Sequence, residues 1–227
     1  MVGNHTDTLI FDLDNTLIDR NGALRKTIAV WLMEQGMVES TDREAALEKI
    51  MVRDNWGYTD RPDFCNWLQL TYGNKAGNET TGHELFDYIL NNIAFYVQAD
   101  MTVLNVLLNL GNHYRLVLAT NGNSITQRNK LKQAGLTTLF KADHLFISGE
   151  MGHAKPDKRF FDFIIERLSI CPPHAMVIGD DPLNDIEAAS QCGLKTCWLS
   201  HGRQEWPAIR PDIVINEITE ITKWLTR

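Results

Sequence analysis

LIFDLDNTLID, residues Leu9–Asp19, has four apolar residues in its first five positions and reads as a buried strand, expected over residues 7–14. Asp12 and Asp14 arrive two residues apart where that strand is ending, followed by Asn15 and Thr16. Residues i and i+2 of a strand share a face, so both carboxylates are expected on one side. Either aspartate alone reads as a turn residue. A pair at the end of a core strand is costly unless cations or donors elsewhere in the chain compensate it.

Outward from this strand the texture changes twice. Residues 22–98 read as helical: GALRKTIAVWLMEQGM puts Leu24, Ile28, Trp31 and Leu32 on one face, and STDREAALEKIM opens with an expected capping signal, Ser40 or Thr41 ahead of Glu44. RPDFCNWLQLTYG and GHELFDYILNNIAFYV supply two more helices, with a loop at residues 73–82 between them. From residue 99 strands and helices alternate: the strands YRLVLATN, HLFIS, HAMVIGD and KTCWLS are separated by helical segments, among them SITQRNKLKQAG and LNDIEAASQCG, and DIVI and EITEITKWL finish the chain. This alternation predicts an α/β domain, a parallel sheet with helices on both faces, interrupted after its first strand by a helical insert. The expected division is a core of residues 1–18 and 99–227 and an insert of residues 19–98.

The bulk properties exclude several classes. A chain of 227 residues with 44% hydrophobic and 22% charged residues has the composition of a soluble globular protein. A net charge of −7 argues against nucleic acid as a partner, while leaving room for a small anion at a locally positive site. No apolar run is long enough to span a bilayer, and MVGNHTDTLIFDLD lacks the pattern of a secretory leader. Cys65, Cys171, Cys192 and Cys197 form no CxxC pair and are expected to be reduced and mostly buried. These features read as a cytoplasmic protein.

In open parallel sheets ligands sit at the carboxyl ends of the strands. There the sequence places Asp12 and Asp14, then Thr120, Asn121 and Gly122, then Lys155 in the loop GHAKPD, then Asp180 and Asp181 with Asp185 close behind. Taken singly, Asn121-Gly122 reads as a turn, Lys155 as a solvated loop lysine and Asp181 as a helix cap. Their common edge and their order make the signal.

FDLDNT, LATNG, AKPD and VIGDDPLND resemble the four motifs of the haloacid dehalogenase-like (HAD) hydrolase superfamily. The resemblance covers roughly residues 7–20 and 100–200, and implies a Rossmann-like HAD core. The insert is similar in position to the helical C1 cap, with a weaker sequence match. TNGN and the helical insert look most like phosphatases of nucleotides or flavin mononucleotide. The implied activity is Mg²⁺-dependent hydrolysis of a small phosphate monoester, the implied partner a small phosphorylated metabolite, and the oligomeric state is left between monomer and homodimer.

Phosphate ester chemistry suits these residues. Asp12 is expected as nucleophile, giving an aspartyl-phosphate, and Asp14 as the acid and base serving the leaving alkoxide and then water. Mg²⁺ prefers oxygen ligands, so Asp12 and Asp180 are expected to hold it, and the resemblance implies the Asp14 carbonyl as a third ligand. Asp185 or Asp181 would support the ion through water, with Asp185 favoured. Thr120, Asn121 and Lys155 are expected on the phosphoryl oxygens, and Lys155 on Asp12 as well. An acid at position 14 argues for esters over halides, because halide leaves without a proton. A phosphoglucomutase-like phosphotransferase is the in-class alternative; a haloacid dehalogenase and a non-enzymatic phospho-receiver fit less well. In the insert, Arg20, Arg25, Lys26, Arg53 and Lys75 are leaving-group candidates as basic residues, and Trp56 and Tyr58 read more readily as packing than as a base-stacking platform.

Overall fold

The computed structural model describes residues 6–37, 39–73, 81–204 and 208–225. Two compact units result: one from the chain up to Asp19 and from Ala99 onward, the other from Arg20–Gln98.

The first unit is built on a six-stranded, wholly parallel sheet of order β3-β2-β1-β4-β5-β6. Its strands are β1 (Thr8–Phe11), β2 (Arg115–Thr120), β3 (Leu145–Ile147), β4 (Ala175–Gly179), β5 (Lys195–Leu199) and β6 (Ile213–Ile215). The chain leaves β1 toward β2 and β3, then returns to build β4, β5 and β6 on the other side. The order therefore reverses at β1, where open parallel sheets form a ligand crevice at their carboxyl ends. Strands paired on both sides read as continuous apolar runs, and β1 and β4 are buried throughout. Ile10, Val117 and Val177 share a cluster with Phe160, Phe161 and Ile164. Each large side chain so buried contributes roughly 1.5–3 kcal/mol relative to exposure.

β1 is shorter than the expected 7–14. The Asp12 N–H still reaches the Ile178 carbonyl at 3.0 Å, but the Leu13 carbonyl then accepts from Thr16, Leu17 and Ile18, and Asn15 takes a left-handed φ of 57°. The chain coils into a tight loop, closed by a bridge between Asp14 and Ile18. Asp14 is consequently not on a strand face with Asp12, because the ladder has ended before it.

The insert contains α1 (Arg20–Glu34), α2 (Ser40–Asp54), α3 (Arg61–Tyr72) and α4 (Gly82–Asn92). Ser40 does not cap α2: the helix begins at Ser40 itself, with Glu39 at the N-cap and no side-chain cap bond. The reciprocal capping box belongs instead to α4, where the Thr81 side chain accepts from the Glu84 N–H and the Glu84 carboxylate accepts from the Thr81 N–H at 2.6 Å.

In the first unit follow α5 (Met101–Gly111), α6 (Ser124–Gln133), the single turn α7 (Ser148–Met151), α8 (Lys158–Leu168) and α9 (Ala188–Gln191). The expected helix after β4 begins as a wide π-helical segment, Pro182–Glu187, before α9. The Asp181 carboxylate starts it by accepting from the Leu183 and Asn184 N–H groups, both at 2.9 Å. Cys65 and Cys197 are buried, whereas Cys192 is half-buried and Cys171 exposed, so burial holds for fewer thiols than expected; all four are free. Among the described residues, no single helix is long and apolar enough to cross a membrane.

Candidate active site

Asp12 follows the last residue of β1 and Asp180 the last residue of β4, the adjacent strand. Asp185 reaches the same point from the π-helical segment. One carboxylate oxygen from each lies within 4.8 Å of the others, and all three residues are buried. Gly179 makes this approach possible. A Cβ there would lie 2.2 Å from Asp185 Oδ2 and 2.5 Å from Asp185 Cβ, so a side chain on the strand end would occupy the carboxylate's place.

Lys155 enters this acidic cluster from the loop after α7. Its ammonium donates to Asp12 Oδ1 at 2.8 Å, to Asp185 Oδ1 at 2.6 Å and to the Ala119 carbonyl at 2.9 Å, engaging all three of its donors. The Asn121 side chain fixes the Lys155 backbone from the end of β2. Its Nδ2 donates to the Lys155 carbonyl at 2.8 Å, and its Oδ1 accepts from the Lys155 N–H at 2.9 Å. Gly122 follows at φ 135°, a conformation that favours glycine, and its N–H donates to Ser148 Oγ at 2.9 Å.

Three buried carboxylates thus crowd together, two of them bonded to the Lys155 ammonium and the third, Asp180, 3.4 Å from the Arg203 guanidinium. Burial, only partly offset by Lys155, raises Asp12 above its ordinary carboxylate range. Burial raises Asp180 well above that range, with Asp12 and Asp185 adding to it, and raises Asp185 to about 7 against the pull of Lys155. Lys155 loses by burial but gains more from Asp12 and Asp185, so it is held charged. Excess buried negative charge among oxygen donors suits a divalent cation. Oxygens around one Mg²⁺ at about 2.1 Å lie roughly 3–4 Å apart, which the cluster can accommodate. Asp185 belongs to this cluster, while the Asp181 side chain is occupied in capping the π-helical segment.

Asp14 has a separate setting. Lys130 Nζ donates to both of its carboxylate oxygens, at 2.8 and 2.9 Å, and Gln127 Nε2 donates to Oδ2 at 3.0 Å. The same Gln127 nitrogen donates to Thr120 Oγ1 at 2.7 Å. The structure therefore links Asp14 and Thr120 through a glutamine that the sequence reading did not single out. Gln127 and Lys130 did carry a signal: they lie three apart on a predicted helix that starts just after the Thr120 strand end. Arg203 was also missed. It donates to the Asp180 carbonyl, lies 3.4 Å from Asp180 Oδ2, and stands over the Trp198 ring at 5.8 Å. No motif marks it.

In the insert, the buried Asp54 carboxylate joins Arg20 and Arg61, with Arg20 Nη2 to Oδ1 at 3.1 Å and Arg61 Nη1 to Oδ1 at 2.6 Å. Arg25 pairs with Glu44 and Glu48, and Arg53 lies over Trp67. Arg20, Arg25 and Arg53 thus have contacts inside the insert. Trp56 and Tyr58 are partly exposed, contrary to their reading as packing residues. Lys75 lies outside the described residues.

Comparison with known proteins places these observations. The HAD-hydrolase YfnB of Bacillus subtilis is 27% identical over 94% of this chain and 93% of its own. Its magnesium-bound crystal structure, reported as revealing interdomain movement, superposes with a TM-score of 0.82 over 98% of this chain and all of that one, at 26% identity. The N-acylneuraminate-9-phosphatase of Rattus norvegicus is 26% identical over 85% of this chain and 82% of its own, and the pyrimidine 5′-nucleotidase YjjG of Escherichia coli is 33% identical over half of each. The haloacid dehalogenase-like hydrolase family matches residues 6–193, a span that takes in the ends of β1, β2 and β4 together with Lys155, and this chain belongs to that family of hydrolases.

Proposed function

We propose that the protein is a cytoplasmic, Mg²⁺-dependent phosphatase of small phosphate monoesters, working through an aspartyl-phosphate on Asp12. The observation that carries this reading is the second acid. Asp14 is held apart from the cation cluster by Gln127 and Lys130, as a group reserved for the leaving oxygen would be. A halide needs no such acid; an alkoxide does.

Asp12, Asp180 and the Asp14 carbonyl would hold the ion, with Asp185 supporting it through water; when bound it supplies charge neutralisation and Lewis-acid polarisation of the phosphoryl group. Asp12 attacks phosphorus and the ester P–O bond breaks, while Asp14 delivers a proton to the departing oxygen. Asp14 then takes a proton from water, which attacks phosphorus, frees inorganic phosphate and restores the Asp12 carboxylate. Lys155 keeps Asp12 oriented and meets the phosphoryl charge, and Thr120 and Asn121 supply donors beside it. The relatives named for a nucleotide and a sugar acid phosphate support nucleotides and sugar phosphates as the substrate class. The insert is assigned the choice among leaving groups by its position in the sequence.

The test is phosphate release from a panel of nucleoside, sugar and amino-acid monophosphates with Mg²⁺, ranked by kcat/KM. Wild-type protein should hydrolyse at least one, and Asp12→Asn none, with an unchanged circular dichroism spectrum. Silence across the panel, or substantial activity in Asp12→Asn, overturns the reading.

A further inference from the structure

The helix α6 buries the wrong kind of residue for a packing element. Of its ten residues, SITQRNKLKQ, the buried ones are Thr126, Gln127, Lys130 and Leu131, while Ile125 is 72% exposed. Gln127 is 2% and Lys130 5% exposed. A buried amide and a buried ammonium are costly unless each meets a partner, and packing alone would be served better by apolar side chains. Both meet the same one. Lys130 Nζ holds both oxygens of Asp14, and Gln127 Nε2 holds Asp14 Oδ2 while also donating to Thr120 Oγ1. Asp14 needs anchors because it stands on the coil after β1, where no strand ladder fixes it.

Building on the phosphatase reading above, we propose that Gln127 and Lys130 are positioning residues for Asp14: α6 presents them as a two-point clamp that fixes the acid relative to the phosphate-side hydroxyl of Thr120. Neither touches the ester; each acts through the Asp14 carboxylate. In the step that cleaves the ester, their loss should therefore be felt in proportion to the leaving group's need for a proton. An alkoxide depends on a placed acid, while p-nitrophenolate leaves unprotonated.

The experiment compares Lys130→Met and Gln127→Leu with wild type on p-nitrophenyl phosphate and on uridine 5′-monophosphate, or the best alkyl ester of the panel. The expected result is a kcat/KM on the alkyl ester, which reports the steps through release of the alcohol, lowered about tenfold or more, part of the 10²–10⁴ that a placed acid contributes. kcat/KM for the aryl ester should stay within about threefold of wild type, while kcat on either ester also contains the water attack that Asp14 assists and is not used for the comparison. Asp14→Asn should show the same pattern, larger, and Asp14→Asn/Lys130→Met should be no worse than Asp14→Asn alone, since the clamp has nothing left to place. Equal losses of kcat/KM on both esters, or additive losses in the double variant, overturn the proposal. If Lys130→Met fails to fold by circular dichroism, Gln127→Leu carries the same comparison. A wild-type protein inert toward every ester overturns the phosphatase reading and this inference with it; an active wild type with a flat variant pattern overturns this inference alone.

Discussion

Gly179→Ala adds one methyl group at the end of β4, and its consequence can be worked from the structure. Gly179 has ordinary strand geometry, so alanine meets no backbone objection there. The obstacle is space. The new Cβ would sit 2.2 Å from Asp185 Oδ2, 2.3 Å from its Cγ and 2.5 Å from its Cβ. Carbon atoms in favourable contact lie about 3.5–4.0 Å apart, so the root of the Asp185 side chain must retreat by about 1 Å, and swinging the carboxylate aside is not enough. That retreat strains the bonds from Lys155 at 2.6 Å and from the Asp181 N–H at 3.1 Å. Overpacking of this kind costs about 1–3 kcal/mol, and a 1 Å misplacement near the reacting groups can cost about 10²-fold in rate. Gly179→Ala should therefore lower Tm by several degrees and kcat by about one to two orders of magnitude, read by thermal melting and steady-state phosphate release. In an Asp185→Gly background all three clashing atoms are gone, and the added methyl should cost Tm little. Wild-type Tm and turnover in Gly179→Ala, or an equal Tm loss in both backgrounds, would refute the reasoning.

Chelation should abolish phosphate release. Mg²⁺ should restore it and Ca²⁺ should do so poorly, because Ca²⁺ tolerates longer bonds and more ligands; activity undiminished in excess EDTA counts against the metal assignment. Asn121→Asp should replace the donor on the Lys155 carbonyl with a repelling oxygen and lower kcat by roughly tenfold or more through Lys155, a loss of the size that misplacement produces; unchanged kcat would show that this clamp does not matter. Asp54 is buried with its carboxyl held below its usual range: burial opposes its charge, but Arg20 and Arg61 outweigh it. A depressed carboxylate contributes stability that is fully present above the unfolded value of about 3.9 and is lost as pH falls through the lower folded one. Asp54→Asn should thus cost the insert about 3–5 kcal/mol near neutrality, with the deficit shrinking under acid, both read by chemical denaturation. A constant deficit from pH 7 to pH 3 would disprove the linkage.

The alternation of apolar strands with amphipathic helices was enough to define the parallel sheet, since both periods are local properties of the chain. Asp12, Lys155, Asp180 and Asp185 were legible as candidates because strand ends in a parallel sheet converge on one edge wherever the intervening helices lie. Local signals misjudged the points where backbone bonding decides. Leu13, accepting three N–H groups, ends β1 before Asp14, and Glu39 stands at the start of α2 in place of the expected cap. What tertiary structure alone decided is which polar side chains α6 and the segment after β5 turn toward the site. Gln127 and Lys130 reach Asp14 across more than 110 residues, and Arg203 reaches Asp180 from a segment with no motif. Sequence periodicity tells which face of a helix is polar. It does not tell that a polar face is buried, because that depends on a carboxylate supplied by a distant part of the chain.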